Sequence, residues 1–191
     1  EFTEPSYIFT QNEGEVSVRV KAEKDNVAGT VSVKGWAIKS ENQSFVFEKK
    51  GEEKTFAFRI QSSQENPNAI LTASVEVDGR TYTNRLITIK YDHIPQQSVL
   101  LPATARAARL DLKVTAKNVG YYMGAGDEVP AALRQMGCTV KVLDDKDMET
   151  AKLAKFEAIV VGIRAYNTKD DLKFHQAKLL EYVQNGGTLV V

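Results

Sequence analysis

The stretch NVGYYMGAGDEVPAALRQMG, residues 118–137, decides how the second half of the chain folds. A short apolar run ends in a loop carrying Gly120, Gly124 and Gly126. Asp127 then suits a helix start, where a carboxylate accepts bonds from unpaired N–H groups, and Pro130 is tolerated in a first turn. Val129, Ala132, Leu133 and Met136 fall at i, i+3, i+4 and i+7, one apolar stripe. Gly137 closes the segment. The reading is strand, turn, capped helix.

The same alternation continues toward the C-terminus. CTVKVL (138–143) predicts a second strand, and DMETAKLAKF (147–156) a short helix with its exit. EAIVVG (157–162) is apolar on both faces, as in a parallel sheet covered on both sides. Thr168 followed by Asp171 has the spacing of a capping box. It opens a long helix expected to turn Leu172, Leu179, Leu180 and Val183 inward. Asn185-Gly186-Gly187 stops that helix, and TLVV begins a fourth strand. Strands alternating with helices predict a flavodoxin-like, doubly wound parallel α/β domain over 109–191. The last strand stops where a turn should begin, so this domain is expected to be incomplete at its C-terminus. The start at Glu1-Phe2, without methionine, likewise suggests a piece of a longer protein.

Toward the N-terminus the period changes to two. EVSVRVKA (15–22) places Val16, Val18, Val20 and Ala22 on one face. KTFAFRI (54–60) does so with Phe56, Phe58 and Ile60, and AILTASVEV (69–77) with Leu71, Ala73, Val75 and Val77. One apolar and one polar face indicate antiparallel strands over a single core. Asp78-Gly79, between two alternating runs, is a strong hairpin signal. Strands near 7–9, 15–22, 29–34, 43–48, 54–60, 69–77 and 80–91, with no helical pattern among them, predict an immunoglobulin-like β-sandwich over 1–92. Trp36 is expected as a core or rim plug whose indole N–H needs a partner. YDHIPQQSVLLPA (91–103), rich in proline and glutamine, predicts a linker over 93–108.

Composition narrows the function. Lys and Arg number 25, Asp and Glu 25, and the net charge is zero. A balanced chain without a basic block gives no electrostatic case for nucleic acid. No apolar run approaches the roughly 20 residues of a membrane span. The single cysteine, Cys138, excludes an internal disulfide.

Candidate chemistry gathers at two loops. Gly124, Gly126, Asp127 and Glu128 follow the first strand of the α/β half, where open parallel sheets bind ligands. The spacing G-x-x-x-G-x-G matches neither the dinucleotide nor the P-loop pattern, and the two carboxylates would repel a phosphate. The loop reads either as a tight strand-to-helix turn or as a site for a neutral polar ligand such as a sugar. Arg164, Tyr166 and Asn167 lie beyond the third strand, beside that loop. Arg164 is suited to clamp a carboxylate or to pair with Asp127 or Glu128. Tyr121, Tyr122 and Tyr166 offer rings on which a sugar could stack. Cys138 starts a strand at the far end and is expected to be buried and inert. His93 and His175 lack a second ligand at metal spacing. The acidic run DDKDMET (144–150) lacks calcium-loop spacing and reads as a solvated face. No nucleophile elbow occurs.

NVGYYMGAGDEVPAALRQMGCTVKVLDDKDM, FEAIVVGIRAYNT and VQNGGTLVV, with YDHIPQQSVLLPA and GTVSVKGW upstream, resemble the C-terminal, non-catalytic region of large bacterial PIG-L (LmbE-like) deacetylase-family proteins. The resemblance runs over essentially the whole chain. It implies an exported, periplasmic or extracellular, multi-domain hydrolase. Its upstream catalytic domain would remove N-acetyl groups from sugar-like substrates using zinc. The His-Pro-Asp-Asp signature of that domain is absent here, so the resemblance implies no catalytic residue, metal ligand or cofactor in this chain. It also implies a last domain similar to class I glutamine amidotransferase and ThuA-like folds. The expected role is an accessory one: docking the chain's own catalytic domain or positioning a glycan. Two alternatives stand beside it. One is a carbohydrate-binding module using the crevice between residues 120–128 and 162–168. The other is an amidotransferase-like enzyme, which needs a reactive thiol.

Overall fold

A computed structural model describes residues 1–191. The chain is β-rich and divides into two compact units, Glu1–Leu110 and Asp111–Val191.

The first unit contains β1 (Ser6–Phe9), β2 (Glu13–Lys21), β3 (Val27–Lys34), β4 (Ala37–Ile38), β5 (Gln43–Phe47), β6 (Glu53–Gln61), β7 (Asn68–Val77), β8 (Arg80–Tyr82), β9 (Asn84–Tyr91), β10 (Ile94–Pro102) and β11 (Thr104–Arg109). One sheet runs β1-β11-β7-β3-β5, with β8 on β7; a second runs β2-β6-β4. The period of two does what it predicts. Val16 and Val18 lie opposite Phe58 and Phe56 in the antiparallel register of β2 and β6. They share one core with Val31, Phe45, Phe47 and Leu71 of the other sheet. Asp78 and Gly79 both take positive φ, 51° and 72°, and close the β7–β8 hairpin. Trp36 is buried, its Nε1 donates to the Asn66 carbonyl at 2.9 Å, and its ring meets Phe9 edge-on.

Two expectations need correction. The run 80–91 is not one strand. After Tyr82 the chain leaves β7, and β9 pairs only with β10, forming a separate two-stranded ribbon. The stretch 93–108 is not a linker either: it supplies β10 and β11. Pro95 and Pro102 are tolerated because β10 has a neighbour on one side only, where a missing N–H is harmless. β11 fits between β1, which it joins in parallel, and β7, which it joins antiparallel. Its buried alanines, Ala105 and Ala107, enter the core, while Thr104 and Arg106 face out. Residues 110–117 carry no regular structure and join the two units.

The second unit contains β12 (Asn118–Tyr122), α1 (Val129–Gln135), β13 (Thr139–Val142), α2 (Thr150–Leu153), β14 (Ala158–Val161), α3 (Ala165–Thr168), α4 (Leu172–Gln184) and β15 (Thr188–Val190), with a 3-10 turn at Asp145–Asp147. Its sheet is wholly parallel, in the order β13-β12-β14-β15. Ile159, Leu153, Met148, Leu172 and Leu179 form its core. Helix α4 turns inward two of the four residues expected there, with Tyr182 in place of the other two. Leu172, Leu179 and Tyr182 are buried, whereas Leu180 and Val183 are exposed and Phe174 is 83% exposed. Tyr182 is fixed by its hydroxyl, which donates to the Phe156 carbonyl at 2.9 Å, and by Gly187, where a Cβ would strike its ring. The capping box is absent: Asp171 makes no side-chain cap, and the Thr168 hydroxyl donates back to the Arg164 carbonyl.

Candidate functional site

Strands β12 and β14 are adjacent and parallel, so their carboxyl ends bring the loops 123–128 and 162–168 side by side. This is the edge at which open α/β sheets hold ligands. Here the two loops are joined by their own backbones. Gly162 N–H donates to the Tyr122 carbonyl at 2.8 Å, and Ala125 N–H to the Ile163 carbonyl at 2.9 Å. Gly124 permits this approach: a Cβ there would lie 2.1 Å from the Ile163 oxygen. Gly162 is equally constrained, since a Cβ would meet the Tyr121 hydroxyl at 2.6 Å.

Beneath the loops lies a pair that the residue patterns did not disclose. The buried Tyr121 hydroxyl donates to Asp127, lying 2.7 and 2.8 Å from its two carboxylate oxygens. Asp127 Oδ1 also accepts from Val129 N–H at 3.0 Å. Asp127 thus serves the start of α1 as expected, from the position before Glu128, whose side chain makes no cap. Burial, then the adjacent carboxylate, pushes the Tyr121 phenol well above the ordinary tyrosine range. The adjacent Tyr122 is buried, and its hydroxyl lies 3.5 Å from Asp145. Neither tyrosine presents a free ring face at this edge.

The remaining predicted residues separate. Arg164 makes no ion pair with Asp127 or Glu128, contrary to the paired reading. It is exposed, with backbone angles φ 57° and ψ 23°, and its carbonyl accepts from Asn167 and Thr168 N–H. Tyr166 is half-buried against the core, while Asn167, Glu128 and Gly126 are exposed. Gly126 needs its φ of +98°, with open space around it. The structure therefore sets Gly124 against the 163–165 backbone and Asp127 against Tyr121, and leaves Arg164, Asn167 and Glu128 exposed.

The acidic run is largely a solvated face, with Asp144, Asp145 and Glu149 exposed, and it is bonded within itself. Asp144 caps the 3-10 turn, and Asp147 is bonded by Lys141 and by the Asp144 N–H. The Lys141 ammonium holds the Asp147 carboxyl below the usual carboxylate range. His175 Nε2 lies 3.5 Å from Asp145. Cys138 is buried, and its thiol donates to the Ala116 carbonyl at the edge remote from the loops. His93 sits at the tip of the β9–β10 ribbon against Tyr91. No group of three or more His, Cys, Asp or Glu side chains is placed to hold a metal ion. No helix is long and apolar enough to cross a membrane.

No protein-family model matches the chain, and no curated protein does. Three solved structures are similar at low identity. The apo-form Calx CBD1 domain is 11% identical over 59% of this chain and 95% of that one, with a TM-score of 0.33. The periplasmic chaperone SfaE is 10% identical over 57% of this chain and 56% of that one, at 0.30. The Bacteroides ovatus GH5 xyloglucanase, in complex with a XXXG heptasaccharide, is 9% identical over 99% of this chain and 44% of that one, at 0.34. The chain thus spans about half the length of the last two or less.

Proposed function

We propose that this chain is an accessory, non-catalytic region of an exported zinc-dependent N-acetyl-sugar deacetylase of the PIG-L/LmbE-like type. Its role is to dock the catalytic domain or to position the glycan presented to it. In this reading the first unit is immunoglobulin-like, supported by two antiparallel-rich sheets over one core. The second is flavodoxin-like and related to the amidotransferase-like folds, supported by a parallel sheet whose first strand lies between its second and third. The observation that carries the accessory role is the edge of that sheet. The groups that would receive a ligand are spent on one another: Tyr121 on Asp127, Asp127 on Val129, and the 125 amide on the 163 carbonyl. Zinc belongs to the upstream domain. Reading the full frame that encodes the chain tests this. A His-Pro-Asp-Asp zinc deacetylase domain upstream is expected, and a frame without one contradicts it.

A glycan-binding reading has one observation in its favour. Arg164 carries an exposed, unpaired guanidinium on a backbone held in the left-handed region, a strain of about 1–3 kcal/mol that often marks a functional position. Titration with N-acetylated oligosaccharides, following the Gly126, Arg164 and Asn167 amides, separates the two. Saturable shifts favour binding; flat titrations leave a docking role. The amidotransferase-like alternative requires rapid thiol labelling of Cys138 in the folded protein, which its burial opposes.

A further inference from the structure

We propose that the first unit binds an anionic amphiphile, an acyl or aryl body carrying a carboxylate or sulfate, in the open mouth between its two sheets. This site is separate from the loops of the α/β unit and does not rest on the accessory reading. The mouth follows from strand order. β2 is the edge strand of its sheet, β8 has only three residues, and β9 leaves to pair with β10 alone. Residues 1–3 pair along the outer edge of β2, and the β9–β10 ribbon borders the core through Arg85, Leu86 and Leu100 without joining either sheet, so the space between β2 and the end of β7 is walled but not filled. The result is a cavity of about 810 Å³. Protein cores hold few voids larger than a water, and this volume falls within the roughly 300–1,000 Å³ of small-ligand sites.

The chemistry of the walls selects the ligand. The depth is apolar, formed by Val18, Val20, Phe45, Val75 and Val77. The rim carries the guanidinium groups of Arg80 and Arg85, and one donor of Arg85 is unmet. Arg85 Nε is buried and has no hydrogen-bond partner. Its one ion-pair contact is long, 3.9 Å from Nη1 to Glu1 Oε2. Arg80 lines the same mouth and makes no ion pair. Of the other carboxylates in the lining, Glu53 lies 3.5 Å from Lys21 and Asp78 3.8 Å from Lys24, while Glu23 makes no ion pair; Arg19, Lys21, Lys24, Arg80 and Arg85 still outnumber the acids there. Glu1 shows which group the rim accepts. Its carboxylate is bonded by Arg19 and faces Arg85. A ligand oxyanion beside Arg85 and Arg80 would satisfy donors that a neutral ligand leaves unpaired, while its apolar body filled the cavity.

Dodecanoate, held below its micellar concentration, is the probe, with dodecanol as its neutral counterpart. Binding is read by calorimetry and by the methyl NMR signals of Val18, Val75 and Val77. One saturable site is expected, with shifts at those methyls. Arg85→Gln is expected to weaken dodecanoate about tenfold to a hundredfold and to leave dodecanol unchanged. Arg80→Gln gives a second, independent arm if the first variant is poorly folded, and it should act in the same direction. Phosphatidylglycerol vesicles distinguish the source. Shifts with dodecanoate alone assign a free acid; shifts with the vesicles assign a lipid headgroup. Silence of the methyls with both probes overturns the proposal. So does equal weakening of dodecanoate and dodecanol, or dodecanoate affinity indifferent to both substitutions.

Discussion

The Tyr121 phenol lies at the buried end of β12 and reaches the Asp127 carboxylate, six residues on. Tyr121→Phe keeps the ring but leaves a half-buried carboxylate with the Val129 N–H alone. A loss of about 1–3 kcal/mol in urea unfolding of the α/β unit is expected; an unchanged midpoint would show that the pair carries no weight. The same bond sets an alkaline limit. The folded phenol titrates above its unfolded value, so its contribution is complete below about pH 10, the unfolded range, and is lost as pH climbs toward the raised folded value. Tyr122 and Tyr182, also pushed upward by burial, add to that loss. Stability measured from pH 8 to 11 should therefore fall, and fall less steeply in Tyr121→Phe. Gly124 belongs to the same scale. In Gly124→Ala the added methyl must displace the Ile163 carbonyl, a backbone group that cannot rotate aside. A cost of about 1–3 kcal/mol is expected, with the largest amide shifts in NMR at residues 162–165. Shifts confined to the substituted residue would contradict the contact.

Between elements, Glu157 ties the entry of β14 to the start of β12. Its carboxylate accepts from the N–H groups of Lys117 and Asn118. Those bonds, Asn118 first, hold its pKa below the usual glutamate range. A carboxyl depressed in the folded state supports stability above its unfolded value, and that support disappears as pH falls through the folded value. Acid unfolding of the α/β unit should thus begin below the ordinary glutamate range of about 4.3. Glu157→Gln should flatten that limb; an identical acid limb would remove Glu157 from the account. Elements with a strong local signature could be read from their residues. NVGYY and AIVV are strands because β-branched and aromatic runs are flanked by turn chemistry. TARAAR could not be read that way. Alanine has little strand preference, and β11 is held by the slot between β1 and β7, which are remote in sequence. The α4 face misleads for a related reason. Leu180 and Val183 look like core residues, but Gly187 and the Phe156 carbonyl draw Tyr182 inward instead. At the candidate site, the two loops could be placed from strand alternation. Their closure could not, since the Tyr121–Asp127 bond depends on the path of the loop between them.

At the scale of the molecule, the boundary between the units depends on β11. Residues 1–110 include it, whereas 1–92 would leave β1 and β7 without the strand that joins them and would remove Ala103, Ala105 and Ala107 from the core. The 1–110 piece is expected to melt cooperatively with dispersed amide signals, and the 1–92 piece is not. Cooperative folding of both would reduce β11 to an ornament. The sheet edge of the α/β unit is closed on itself, which supports the proposed accessory role, in which another domain performs the chemistry. Acetate release from N-acetylglucosamine oligosaccharides, with zinc added to the 191-residue chain, tests this most directly. The account predicts a rate equal to the protein-free blank. Turnover above that blank, proportional to protein concentration, would contradict it.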